Sequence, residues 1–222
     1  MVRMKRLIGV LLAGLLIMSG LTLPGSADVC SFVDLPREGH WARIPIIWAV
    51  ENGIAAGVNE DHFAPNEVLT RAQAITMIWR MKGSPAPRDD GAELPFRDVK
   101  SDAYYYQALC WFWQRGAVSG VTETRFAPNQ PCSRAQLITF AFGVIFPRPD
   151  ATVEEDYPDP VKDIRDFVDV TEDAYYYPAL LNCCRFGIVA GTDVNHFSPK
   201  ANCTRAQAVA ILYNIHETNY YL

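Results

Sequence analysis

Positive charge is the first thing this 222-residue chain lacks: 20 Lys and Arg stand against 25 Asp and Glu, a formal net charge of -5. That balance argues against nucleic acid or an anionic membrane surface as the main partner. Catalytic signatures are missing too: there is no nucleophile elbow, no His-Glu-x-x-His and no phosphate-cradling glycine loop. His40, His62, His196 and His216 do not cluster, and Glu154-Glu155 lies in a polar stretch with no apolar pocket to raise a carboxyl pKa. The six cysteines, Cys30, Cys110, Cys132, Cys183, Cys184 and Cys203, contain no Cys-x-x-Cys and no His at zinc-finger spacing, so neither a metal site nor any other cofactor is expected.

Long apolar runs are confined to the start of the chain. A basic stretch (Arg3, Lys5, Arg6), an apolar block from Leu7 to Met18 and the small residues Gly25-Ser26-Ala27 follow the tripartite order of a secretory signal, read as residues 1–27 with cleavage after Ala27. A retained anchor is disfavoured because Gly14 and Gly20 interrupt a block shorter than the roughly 20 apolar residues of a spanning helix. Losing this leader leaves 195 residues with 17 basic and 25 acidic side chains, a charge of -8, and no transmembrane segment. A chain of that length can bury about 70% of its unfolded surface, so disulfides are optional. Bridges from Cys110 to Cys132 and from Cys183 or Cys184 to Cys203 suit an exported protein, with buried free thiols as the alternative.

What the chain has is a threefold repeat. Phe32-Val33-Asp34, Phe96-Arg97-Asp98 and Phe167-Val168-Asp169 open three copies, and the aspartates stand 36, 35 and 35 residues before Thr70, Ser133 and Thr204. In every copy the second glycine, Gly57, Gly120 or Gly191, comes six residues before a phenylalanine, Phe63, Phe126 or Phe197, which comes seven before the hydroxyl residue. The copies are read as residues 32–83, 96–147 and 167–217.

Thr70-Arg71-Ala72-Gln73, Ser133-Arg134-Ala135-Gln136 and Thr204-Arg205-Ala206-Gln207 are capping boxes. The hydroxyl accepts from a first-turn amide while the Gln returns the bond, and the cap is worth about 1 kcal/mol. The apolar residues that follow, such as Ile75 and Ile78, Leu137 and Ile138, or Val209 and Leu212, recur at helical spacing, so one face of each helix is buried. A second helix precedes each of these, over Trp41–Asn52, Asp102–Arg115 and Asp173–Phe186, closed by Gly53, Gly116 and Gly187 in the left-handed cap position. Pro45 and Pro178 predict a late or irregular start in the first and third copies. The stretches Gly83 to Pro95 and Pro147 to Asp166, rich in Pro and acidic residues, are exposed spacers. One helix pair cannot bury its own apolar face, which makes the fold all-α with three copies sharing a core.

These residues resemble the S-layer homology domain: Phe-x-Asp, an aromatic-rich first helix, Gly53-Ile54 to Gly57 and Gly187-Ile188 to Gly191, Phe-x-Pro-Asn and Thr-Arg-Ala, over about residues 32 to 217. The resemblance implies a pseudo-threefold spindle around a central three-helix bundle, and a non-catalytic module of the bacterial cell wall or S-layer. Its ligand would be secondary cell-wall polysaccharide, acidic or pyruvylated, held in grooves between the copies. It further implies that Arg71, Arg134 and Arg205 face the ligand's carboxylate, with Asp34, Asp98, Asp169, Gly57, Gly120 and Gly191 lining the same grooves. A guanidinium fork matches a carboxylate, and a helix N-terminus adds amide donors. Trp48 and Trp111 would offer a flat apolar face to a sugar by analogy with other aromatic binding sites. Departures from the family pattern are Gln in place of Glu after Thr-Arg-Ala, Ala117 in place of Ile, and Lys200 in place of Asn. Lys200 and Asn182 mark the third copy as the one expected to bind differently.

Two other readings stay open. Each Arg could pair with a repeat Asp and hold neighbouring copies together. The runs Tyr104-Tyr105-Tyr106 and Tyr175-Tyr176-Tyr177 are read as packing between helices, with sugar stacking as the alternative. At the level of the whole chain, the alternative is a scaffold of the cell surface that binds other surface proteins.

Overall fold

The computed structural model describes residues 32–89, 93–145 and 163–218. The expected leader at 1–27, Cys30 and Glu154-Glu155 lie outside the described residues. Six α-helices carry the fold, α1 (Arg43–Glu51), α2 (Arg71–Met81), α3 (Tyr106–Trp113), α4 (Arg134–Ile145), α5 (Tyr177–Arg185) and α6 (Arg205–Glu217), and the described residues contain no strand. The architecture is all-α, as the repeat predicts.

The second helix of each copy starts where its capping box places it. Thr70 and Thr204 each accept from the amide three residues on while Gln73 and Gln207 return the bond, and Ser133 and Gln136 exchange the same pair at 3.2 and 3.0 Å. Behind these starts Ile75, Ile78, Leu137, Ile138, Val209 and Leu212 are fully buried. Each such side chain contributes roughly 1.5–3 kcal/mol over leaving it in water.

The first helices are shorter than expected. All three begin ten residues before their closing glycine, at Arg43, Tyr106 and Tyr177, including the copy without a proline. Proline is therefore not the cause. Pro178 sits in the first turn of α5 and Pro45 is the third residue of α1, where the backbone N–H has no intrahelical partner to lose. The late start comes from a preceding turn that has no side-chain cap to extend, with Tyr106 and Tyr177 donating back to Ala103 and Ala174 at 2.9 and 2.8 Å. The helices end as expected, with Gly53, Gly116 and Gly187 at φ +66°, +63° and +65°, a region open to glycine at little cost.

Helix pairing crosses the copy boundaries: α3 packs on α2, α5 on α4, and α1 on α6, while α2 also packs against α4 and α6. Each first helix thus lies on the second helix of the preceding copy, and α1 completes the cycle on the last. Cys110, Cys132, Cys183 and Cys203 are free. The bridges from Cys110 to Cys132 and from Cys183 or Cys184 to Cys203 are not formed, because those cysteines belong to different packed units: Cys110 lies on α3 and Cys183 and Cys184 on α5, whereas Cys132 and Cys203 pair in backbone with each other.

The candidate binding junctions between copies

Each copy folds its Phe-x-Asp aspartate back onto the Phe-x-Pro loop. Asp34 accepts from the amides of Phe63 and Ala64 at 2.9 and 2.7 Å, Asp98 from Phe126 and Ala127 at 2.9 and 2.8 Å, and Asp169 from Phe197 and Ser198 at 2.9 and 2.8 Å. Both carboxylate oxygens are engaged in every case. The second residue of each pair has a left-handed backbone, with φ of 59° at Ala64 and 57° at Ala127 and Ser198. That conformation costs an L-residue about 1–2 kcal/mol, and a charge-assisted bond to its amide offsets the cost.

The second glycine is demanded by close approach. A Cβ on Gly57 would stand 2.5 Å from the Asn59 carbonyl oxygen and 2.6 Å from the Phe32 ring, and Gly120 and Gly191 meet their counterparts at similar distances. The glycines lie beneath the ring of their copy's opening phenylalanine.

The three arginines are the most unexpected feature. Arg71, Arg134 and Arg205 are buried, at 2%, 5% and 4% exposure, and they bond to carbonyls of the next copy. Arg71 donates from Nε to Phe126 O at 2.9 Å and from Nη2 to Ser119 O at 2.8 Å. Arg134 does the same to Phe197 O and Ala190 O at 2.9 and 2.8 Å, and Arg205 to Phe63 O and Ala56 O at 3.0 and 2.6 Å. Each guanidinium also lies 4.6–4.8 Å from the centroid of the phenylalanine ring it serves, a cation–π contact. They do hold neighbouring copies together, but through carbonyls and rings; the repeat aspartates spend their oxygens on amides instead. Burial lowers the pKa of all three guanidinium groups.

The helix N-termini are committed in the same way. Arg71 and Ala72 donate their amides to Gln130 O and Pro128 O, Arg134 and Ala135 to Ala201 O and Pro199 O, and Arg205 and Ala206 to Glu67 O and Pro65 O. The proline of Phe-x-Pro fits this role, since it gives a carbonyl and needs no acceptor. The first-turn amides assigned to a ligand by the sequence are therefore occupied by protein.

Trp111 is buried, at 4% exposure, with the Arg115 guanidinium 4.0 Å above its ring and no partner for its indole N–H. Trp48 is partly buried, its ring 5.5 Å from Tyr213 and 5.1 Å from His216 on α6. Both rings face helix packing. The exposed aromatic column lies at the residue twelve before each closing glycine: Trp41, Tyr104 and Tyr175, at 57%, 63% and 65% exposure. Tyr104 reaches the capping hydroxyl of Thr70 and Tyr175 that of Ser133, so each tyrosine stands over the capped helix of the preceding copy. Of the two tyrosine runs, the first residue is exposed, whereas Tyr105 is buried and Tyr176 half-buried. The signal that could have found this column was an aromatic side chain in the same register in all three copies.

Each junction thus brings together a buried Arg and hydroxyl cap from one copy, and a loop, a glycine turn and an engaged aspartate from the next, with an exposed tyrosine joining them at the Thr70 and Ser133 caps. Comparison with known proteins matches residues 32–75, 95–138 and 166–209 to the S-layer homology domain. The chain is 28% identical over 197 residues to an S-layer protein of Bacillus thuringiensis subsp. finitimus, covering 87% of this chain and 22% of that protein. It is 29% identical over 110 residues to the surface-layer 125 kDa protein of Lysinibacillus sphaericus, covering 50% of this chain and 9% of the relative. It is 27% identical over 180 residues to an amylopullulanase of Thermoanaerobacterium thermosulfurigenes, covering 81% of this chain and 9% of that enzyme. The chain spans less than a quarter of the length of these relatives.

Proposed function

We propose, because the chain belongs to the S-layer homology domain family, that it is a non-catalytic cell-surface anchor that binds secondary cell-wall polysaccharide at the junctions between copies. The observation that carries this reading is the repetition of one junction three times, with a buried arginine and an exposed aromatic residue recurring in the same register of every copy. Similarity to surface-layer proteins and to an enzyme of far greater length supports a shared attachment module over a shared chemistry. The described residues contain no helix long and apolar enough to cross a membrane.

The glycan is an acidic one, of the pyruvylated kind. Its sugar faces stack on Trp41, Tyr104 and Tyr175, and its carboxylate is drawn by the positive field of Arg71, Arg134 and Arg205. The arginines act here chiefly by shaping the junction, because Nε and Nη2 are already bonded to carbonyls. Gly57, Gly120 and Gly191 keep the loop turned into the junction, and Asp34, Asp98 and Asp169 fix its amides. Three weak sites acting together give retention beyond that of any one.

The test is a pull-down of the purified protein on wall sacculi before and after chemical removal of the secondary glycan. Binding is expected to the intact wall and to be lost with the glycan. Equal binding to both refutes the reading, and assembly of the protein at rising concentration without glycan favours a surface scaffold.

A further inference from the structure

At the meeting point of the three copies, the residues just before the capping hydroxyls form a closed ring of backbone hydrogen bonds. Leu69 donates to Cys203 O, Cys203 to Cys132 O, and Cys132 to Leu69 O, each at 2.8 Å. Antiparallel bridges flank every pair in the ring: Ser133 with Asn202, Thr70 with Pro131, and Val68 with Thr204. The first of these sets Cys132 directly opposite Cys203. Residues so opposed have Cα atoms about 4.5–5.5 Å apart and side chains on one face. That separation lies inside the roughly 4.4–6.8 Å range of disulfides. Both side chains are fully buried, and each Sγ stands 3.6 Å from the carbonyl oxygen of its own following residue. The two thiols therefore share an equivalent setting across the ring, with Leu69 as the third member.

We infer that Cys132 and Cys203 are a disulfide-forming pair, joining the second copy to the third at the ring when the chain folds in the presence of a low-molecular-weight disulfide. One cysteine thiolate attacks the small disulfide and expels one small thiolate. The other cysteine thiolate then attacks the protein sulfur of the mixed disulfide and expels the second. Two cysteine thiols are oxidised, one small disulfide is reduced to two thiols, and the two cysteine protons pass to the departing thiolates. The bond closes a loop between positions 71 residues apart, long enough for a sizeable loss of unfolded-state entropy. Burial pushes both thiols up to about 12, so exchange is slow once the ring has closed. The bond is acquired during folding, before the core seals the thiols away.

The experiment refolds the reduced, denatured protein at pH 8 in oxidised and reduced glutathione, blocks remaining thiols and maps the peptides without reduction. The expected result is a Cys132–Cys203 linked peptide pair and a Tm roughly 5–15 °C above that of protein refolded fully reduced. Native reduced protein placed in the same buffer should gain the link roughly tenfold more slowly or worse. A variant with both Cys132→Ala and Cys203→Ala should fold and show the same Tm in either buffer. Recovery of both residues as blocked free thiols in refolded helical protein, or their linkage to Cys110, Cys183 or Cys184, overturns the inference, as does an undiminished oxidation-dependent Tm rise in the double variant.

Discussion

The Nε of Arg205 donates to the carbonyl of Phe63 at 3.0 Å across 142 positions of sequence, tying the last copy back to the first. Phe63 is held from both sides, for its own amide donates to Asp34 and its ring lies 4.6 Å below the same guanidinium. Phe126 and Phe197 stand in the same double grip. The three contacts turn a linear repeat into a cycle, in which α1 packs on α6 as α3 packs on α2.

Truncating one arginine should therefore act on stability first. Arg205→Ala leaves the carbonyls of Phe63 and Ala56 without their donor and opens a cavity over a buried ring, a loss of roughly 2–4 kcal/mol. Arg205→Lys keeps the charge but loses the planar fork, and should fall between. Denaturant unfolding of the two variants checks the order. Removing all three arginines together should abolish the native fold, so loss of wall binding in that variant says nothing about ligand contact.

The local elements of this fold were readable in the chain because their causes are local. Thr70 and Gln73 specify a capped start within four residues, Gly53 holds the left-handed backbone that ends a helix, and Gly57 stands where close approach leaves no room for a side chain. The arginine contacts were not readable. Phe63 lies eight residues before Arg71, yet Arg71 serves Phe126, and all three copies carry the same acceptor. Which copy provides it depends on how helices pack. The aromatic assignment failed for the same reason: Trp111 looks like a candidate platform until α3 is seen to pack against α2 of the copy before it, which buries that ring and leaves Tyr104 outside.

The glycines separate two kinds of cost. Gly53→Ala meets open space but must hold φ near +66°, a strain of about 1 kcal/mol. Gly57→Ala drives a Cβ to 2.5 Å from a backbone oxygen, so loop or ring must shift, and roughly 2–4 kcal/mol should be lost. Equal losses for the two in thermal unfolding would show that the loop and the Phe32 ring both yield freely.

Alkaline pH should weaken the fold through the ring thiols. Cys132 and Cys203, ordinarily at 9.0, are pushed up to about 12 by burial, so the folded chain keeps protons that the unfolded chain releases. Their contribution is full below pH 9 and is lost as pH rises from 9 towards 12, at up to about 1.4 kcal/mol per pH unit for each thiol. Tyr105 and Tyr176, also raised by burial, add their loss only above the ordinary phenol value of 10.0. Fully reduced protein should therefore lose stability between pH 9 and 10, and the Cys132→Ala, Cys203→Ala variant should lose less over that interval by the share of two thiols, keeping the loss from Cys183, which burial also raises.

The exposed aromatic column offers the cleanest separation of binding from folding. Tyr104 and Tyr175 present most of their surface to solvent, so Tyr104→Ala or Tyr175→Ala should change stability by no more than about 0.5 kcal/mol. A ring that stacks on a sugar is worth about 1 kcal/mol or more on truncation, or a several-fold loss of affinity at that junction. Because three junctions act together, the single variants should weaken retention on sacculi modestly, and the triple variant Trp41→Ala, Tyr104→Ala, Tyr175→Ala far more. Trp111→Phe, a change to a buried ring, should leave retention unaltered in protein that remains folded. If the triple variant binds the wall as well as the parent while keeping its helicity, the glycan is held by other groups, and the junction's aromatic face has some other use.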